Sequence, residues 1–201
     1  MIEPNPPIYF ARHGETDWNR EQRIQGQIDT VLNDLGHRQS EVLARGLRSR
    51  LKGETDLTFV VSPLMRARQT MGYVARAFGI EESDVRVEPS LMELSFGAWE
   101  GRYFRELKSD PAYPKDPVER FRWRPVDGES YADGMERLKQ WIGRLDGTTV
   151  IVSHGAIGRC LIALVSDLTP QETLTQPTPQ GFFCRLKDGV IEWFDAATLY
   201  P

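Results

Sequence analysis

The sequence predicts an α/β fold, a three-layer sandwich in which a mainly parallel central sheet lies between layers of helices. Three short, nearly continuous apolar runs, at 7–11, 57–61 and 148–152, predict strands that are covered on both faces. Helical patterns fill the intervals between these runs. Strands that alternate with helices along a chain are typical of a parallel sheet.

The helices are predicted from leucine periodicity and from end signals. Within 36–51, leucines recur every four residues, which predicts one buried helix face. The next helix is predicted to begin with Ser62 as its N-cap and Pro63 in its first turn, and to end at Gly79. Two further helices are predicted at about 130–145 and 156–166.

Shorter β-rich segments complete the predicted sheet. Residues 85–88 are a further strand candidate, and 181–186 and 190–194 flank a Lys-Asp-Gly turn that predicts a β-hairpin.

A length of 201 residues predicts a single domain over 1–201, and no internal repeat or low-complexity stretch appears. The compositional shift lies at about 97–128, which is rich in proline and aromatic residues. Within it, 102–124 carries seven basic and four acidic residues, a local excess of positive charge. We expect this segment to be a cap insertion.

Composition excludes several classes of protein. There are 25 Lys and Arg against 29 Asp and Glu, a net charge of −4, which argues against a nucleic-acid binder. No apolar run approaches the roughly 18 residues that span a bilayer. Residues 1–7 lack the features of a signal peptide, so a cytoplasmic protein is expected. Cys160 and Cys184 lack metal-ligand spacing, so we expect reduced core thiols and neither metal nor cofactor.

Two of the three histidines follow predicted strands in matching places. Arg12-His13-Gly14 follows the first strand, and His154 follows the third, also before a glycine. Because ligands of open α/β sheets bind outside the carboxyl ends of the strands, these side chains should converge on one pocket. Arg66, in the helix after the second strand, should reach the same edge.

Such a pocket suits a phosphate. Arginine forks bind phosphate oxygens in pairs, and the helix that begins after His154 adds oriented N–H groups as an anion site. The chemistry indicated is phosphoryl transfer, with arginines as the charge clamp and a neutral histidine as the covalent acceptor. Nearby guanidinium cations lower the pKa of an imidazole and so favour its neutral form.

The motifs also resemble a known family. Residues 12–19 (RHGETDWN) resemble the RHGE(T/S)xxN signature of the histidine phosphatase superfamily, in its phosphoglycerate mutase-like branch. The resemblance continues, in family order, at 25–26 (QG), 32–39 (LNDLGHRQ), 62–70 (SPLMRARQT), 91–101 (LMELSFGAWEG), 127–130 (DGES) and 152–155 (VSHG). It therefore covers about residues 8–160.

The resemblance implies a phosphoglycerate mutase-like fold and assigns roles to residues. His13 would be the nucleophile that becomes phosphohistidine, and Glu93 the acid that protonates the leaving oxygen and then activates water. The predicted catalytic residues are His13, Glu93 and His154, and the predicted phosphate-binding residues are Arg12, Asn19, Gln25, Gly26, Arg66 and Gly155.

The function that this implies is a metal-independent phosphomonoesterase acting on a small phosphorylated metabolite. A phosphoglycerate mutase and a non-catalytic phosphate-binding module are the alternatives. Only 60 residues separate Glu93 from His154, and the sequence ends soon after its last predicted strand, so we expect no lid to shield phosphohistidine from water. The expected partner is a small phosphate ester, with no nucleic acid or membrane, and a homodimer is left open.

Overall fold

The computed structural model describes residues 6–199, and within them six strands form one sheet in the order β3-β2-β4-β1-β5-β6. The strands are β1 (Ile8–Arg12), β2 (Leu57–Val61), β3 (Arg86–Val87), β4 (Thr148–Ser153), β5 (Phe182–Lys187) and β6 (Val190–Asp195). The first four pair in parallel, whereas β5 pairs antiparallel with β1 and with β6. The predicted α/β fold with a mainly parallel sheet is confirmed.

The helices cover both faces of this sheet. They are α1 (Asp17–Arg20), α2 (Asp34–Arg50), α3 (Met65–Phe78), α4 (Phe104–Ser109), α5 (Pro117–Arg122), α6 (Tyr131–Ile142), α7 (Gly155–Ser166) and α8 (Pro170–Thr175). In this part of the chain no helix is both long enough and apolar enough to cross a bilayer.

The alternation of side chains along β1 separates two hydrophobic cores. Ile8 and Phe10 point to the face covered by α6 and α7, while Tyr9 and Ala11 point to the face covered by α2 and α3. The side chains of both cores are buried, and Cys160 and Cys184 are buried thiols among them. Burial on both faces explains why the central strands are continuous apolar runs.

The start of α3 differs from the prediction. Leu64, and not Ser62, is the N-cap residue, and no side chain caps this helix. The Ser62 hydroxyl is instead directed to a histidine, as described below. The predicted end is correct, because Gly79 has a φ of +69° and closes the helix in the left-handed conformation.

The predicted hairpin is confirmed. Asp188 and Gly189 have φ values of +52° and +76°, as a two-residue turn between β5 and β6 requires.

The segment 97–128 carries α4 and α5. A small apolar cluster of Ile24, Trp99 and Leu107 joins this segment to the loop after α1. That the segment serves as a cap of a single domain stays a prediction.

Candidate active site

The sheet order brings the predicted side chains to one edge. His13 follows β1 and His154 follows β4, and these neighbouring strands pair with Arg12 opposite Ser153. The two imidazole rings lie 5.1 Å apart between centroids, at an angle of 60°. Arg66 comes from the first turn of α3, which follows β2 on the other side of β4. The predicted convergence of these four residues is therefore present in the fold.

His13 is oriented by the backbone of the next residue. Its Nδ1 lies 2.7 Å from the Gly14 carbonyl, which can only accept, so Nδ1 carries the proton. Nε2 is then the unprotonated nitrogen, and Arg66 Nε donates to it at 3.3 Å. Burial lowers the pKa of His13 well below its usual value, and the charges of Arg66 and Arg12 lower it further. The ring is therefore neutral near pH 7.

His154 is completely buried, and one nitrogen of its ring bonds to a serine. Its Nε2 lies 2.6 Å from Ser62 Oγ, while its Nδ1 is buried with no partner in the described structure. Burial, followed by the charge of Arg66, lowers the pKa of His154 well below its usual value. Sequence reasoning missed this role of Ser62. The signal that could have found it is its position at the end of β2, beside the strand that carries His154.

The two arginines are held by backbone carbonyls. Arg66 donates from Nη2 to Gly26 and from Nη1 to Ile28, both at 2.8 Å. Burial lowers the pKa of Arg66 to about 10, so its guanidinium stays charged at neutral pH. Arg12 donates from Nη1 to the Thr178 carbonyl at 3.1 Å, while its Nε is buried and has no partner within residues 6–199.

Three predicted phosphate-binding residues support the loop around Arg66 and α1. Gly26 has a φ of +51°, which favours glycine, and contacts Arg66 through its carbonyl. Gln25 is buried, and its Oε1 accepts hydrogen bonds from two threonine hydroxyls. Asn19 caps α1 together with Thr16, and its Oδ1 accepts from Gln180 at 3.0 Å.

Glu93 occupies the start of α7. Its two carboxylate oxygens accept the backbone N–H groups of Ala156 at 3.1 Å and Ile157 at 2.9 Å, and one of them also accepts from Leu94. These N–H groups at the start of the helix fix the position of the carboxyl group. The expectation that these N–H groups form an open anion site was therefore wrong in part, because Glu93 already takes two of them.

Thr178 belongs to a part of the chain to which sequence reasoning gave no role. Its carbonyl holds Arg12, and its own hydroxyl is buried without a partner in the described structure. A Cβ on Gly155 would lie 3.6 Å from Thr178 Oγ1 and 3.6 Å from Arg12 Nε, so both unpartnered atoms lie beside this glycine. Buried polar groups are rarely left unpaired, and this pair indicates a polar ligand.

A cavity of about 170 Å³ unites these groups. The predicted residues that line it are Arg12, His13, Asn19, Gln25, Gly26, Arg66, Glu93 and Gly155. Its lining also includes Arg23, Arg159 and Thr178, so cationic side chains outnumber Glu93. His154 is not among the lining residues, but its ring lies directly against that of His13. Within residues 6–199, no group of three His, Cys, Asp or Glu side chains could hold a metal ion.

Sequence and structure comparisons find similar proteins that are named as phosphoglycerate mutases or phosphatases. A relative named probable phosphoglycerate mutase GpmB, from Photorhabdus laumondii, is 30% identical over 175 residues, which are 80% of this chain and 75% of that protein. The solved structure of a mycobacterial glucosyl-3-phosphoglycerate phosphatase in complex with VO3 is 26% identical and superposes with a TM-score of 0.76, covering 94% of this chain and 96% of that one.

A second solved structure is the α-ribazole phosphatase of Shigella flexneri. It is 25% identical, with a TM-score of 0.73 and 89% of each chain covered. Residues 8–186 match the histidine phosphatase superfamily (branch 1), which is most of the described chain. This chain therefore belongs to the histidine phosphatase superfamily and is a phosphoric monoester hydrolase.

Proposed function

We propose that this enzyme is a metal-independent phosphomonoesterase that forms phosphohistidine on His13 and acts on a small phosphorylated metabolite. The observation that carries the proposal is the fixed tautomer of His13. Its Nδ1 proton is held by the Gly14 carbonyl, so Nε2 is free of a proton and lies against Arg66. A neutral, oriented imidazole beside cations is the form that a nucleophile for a phosphate dianion requires.

In the first step, His13 Nε2 attacks phosphorus, the N–P bond forms and the ester P–O bond breaks. Arg66 Nε donates to His13 Nε2. When the ester binds, this N–H donates instead to a phosphoryl oxygen, a stronger, charged acceptor, and so frees the lone pair of Nε2. Arg12 Nε supplies a second donor that has no partner in the described structure. The carboxyl group of Glu93 delivers a proton to the leaving alcohol oxygen.

In the second step, water hydrolyses the phosphohistidine. Glu93, now a carboxylate, removes a proton from the water as its oxygen attacks phosphorus, and the N–P bond breaks. Free phosphate leaves, and His13 and the protonated Glu93 are restored. The hydrogen bonds from Ala156 and Ile157 hold the carboxyl group in one place through both steps.

His154 assists as a donor. It is neutral, and when the Ser62 hydroxyl donates to Nε2, the single imidazole proton resides on Nδ1. That N–H has no partner in the described structure and lies in the ring adjacent to His13. We assign it to a phosphoryl oxygen, where it strengthens binding as negative charge builds up.

A phosphoglycerate mutase is the second candidate, because a relative carries that name. Hydrolysis is favoured by the course of the chain after β6. The turn at Ala196–Thr198 packs on α2, with Ala196 fully buried against Gly46, and so lies away from the cavity. As far as Leu199, this segment does not cover the site, and water can reach a phosphohistidine.

The test compares His13→Ala with His37→Ala in the same assays. The wild-type enzyme and His37→Ala should release phosphate from 4-nitrophenyl phosphate and form an acid-labile phosphoenzyme in a rapid quench, also after dialysis against EDTA. His13→Ala should do neither while it remains folded. Isomerisation of phosphoglycerates faster than phosphate release, with bisphosphoglycerate present, would establish the mutase instead.

A further inference from the structure

A second cavity of about 280 Å³ adjoins the cavity of about 170 Å³ that contains His13, which we call the phosphate cavity. Four side chains line both cavities, namely Phe96, Phe104, Tyr131 and Arg159. The second cavity extends from this shared wall between α4, α5 and α6, over the segment 97–128. Since the two cavities share this wall, the alcohol portion of an ester whose phosphoryl group lies at His13 can extend into the second cavity.

The wall of the second cavity is aromatic. Besides the shared rings, it contains Tyr113 and Trp123, which contact each other edge to face with centroids 5.2 Å apart. The rest of the apolar lining consists of Leu94, Leu107, Pro125 and Leu174. Flat, rigid side chains of this kind favour a ligand that presents a planar ring.

The cavity also carries unbalanced positive charge. Among residues 6–199, its charged lining consists of Lys108, Arg120, Arg159 and Glu129. Glu129 is already engaged, because it accepts from Arg137 at 3.2 Å. The three cations therefore face the cavity without an acid from the described part of the chain.

Arg120 is placed to bind an anion. Its Nη2 donates to the Lys115 carbonyl at 2.8 Å, and its Cζ lies 5.5 Å from the centroid of the Tyr113 ring. Its Nε is buried and has no hydrogen-bond partner in the described structure. Arg159 is held in a similar way, by Gln176 at 2.8 Å and by the Tyr131 hydroxyl at 3.3 Å. A buried N–H of a charged group that lacks an acceptor is costly unless a ligand satisfies it.

We infer that the second cavity binds the alcohol portion of a phosphate monoester that carries a planar ring and a second anionic group, with the ring between the aromatic side chains and the anion at Arg120. This inference rests on the proposed function, since the phosphoryl group must lie at His13. The inference adds a substrate class to the proposed function, namely a ring-bearing phosphate ester with an additional negative charge.

The test uses two substrates that differ in one charge. These are 4-carboxyphenyl phosphate and its neutral amide analogue, 4-carbamoylphenyl phosphate, which match in shape. The amide is the more electron-withdrawing substituent, so leaving-group reactivity alone favours the neutral substrate. We expect kcat/KM to be at least about tenfold higher for the carboxylate, because its charge is bound in a partly buried cationic site.

The variants assign this preference to the cavity. Arg120→Gln should reduce the ratio of kcat/KM for the carboxylate to kcat/KM for the amide to less than about threefold. Arg122→Gln, on the same helix but exposed and not lining the cavity, is the matched control and should retain the full preference.

The outcomes separate the inference from the proposed function. If neither aryl ester is hydrolysed and no phosphoenzyme forms, the proposed function fails. If both esters are hydrolysed through phosphohistidine with equal kcat/KM, or if Arg120→Gln keeps the full carboxylate preference, the proposed function stands and the inference is wrong. A carboxylate preference that is lost in Arg120→Gln and kept in Arg122→Gln supports the inference.

Discussion

Acidification should destabilise this protein through its two active-site histidines. Both rings are buried, with His13 at 2% and His154 at 0% exposure, and the pKa of each is held well below its usual value. In the unfolded chain each imidazole has an ordinary pKa of about 6.5. Protons therefore bind the unfolded state first, and the free energy of unfolding must fall as the pH drops below about 6.5.

The magnitude follows from proton linkage. Between pH 7.5 and pH 5.5, a histidine that is protonated only in the unfolded state lowers the free energy of unfolding by about 1.4 kcal/mol. Two such residues lower it by about 2.7 kcal/mol over the same interval. Above about pH 7.5 this contribution is almost fully present. Carboxylates titrate mainly below this interval, so they contribute little to the change.

Urea unfolding at pH 5.5, 6.5 and 7.5 measures the effect. The buffers should contain no phosphate, because a bound anion would stabilise the folded state and mask the change. His13→Asn should halve the loss of stability between pH 7.5 and pH 5.5, and the double variant with His154→Asn should abolish it. The third histidine supplies the control, since His37→Asn should behave as wild type. A wild-type stability that changes by less than about 0.5 kcal/mol across this interval would refute the reasoning.

Two further predictions concern the chemistry of the site. Glu93→Gln should slow alkyl phosphates at least about tenfold more than aryl phosphates, because a good leaving group needs less protonation, and paired kcat measurements test this. An equal loss on both ester types would remove Glu93 from the role of general acid. Ser62→Ala should move the proton of His154 from Nδ1 toward Nε2 and lower kcat/KM about tenfold, since its hydroxyl contacts Nε2 at 2.6 Å. Nitrogen-15 NMR of the imidazole reports the tautomer, Ser62→Thr should restore it, and an unchanged tautomer in Ser62→Ala would contradict the assignment.

Local patterns were sufficient for the sheet and for the position of the two histidines. Burial on both faces leaves continuous apolar runs in the sequence, so β1, β2 and β4 could be located from composition alone. The residues after a parallel strand reach the carboxyl edge whatever the remaining topology, which is why His13 and His154 could be paired in advance. The roles of individual residues came from the family resemblance.

The sequence by itself determined the fold class, the hairpin after β5 and the placement of the histidines, because periodicity and turn chemistry are properties of neighbouring residues. Only the tertiary structure decided the contacts that join distant parts of the chain. Ser62 reaches His154 across 92 positions, Thr178 holds Arg12 across 166, and Glu93 takes the N–H groups at the start of α7. These pairings depend on the three-dimensional positions of the loops, which a local sequence pattern does not specify. Ser62 therefore looked like a helix cap, and the N-terminus of α7 looked like an open anion site.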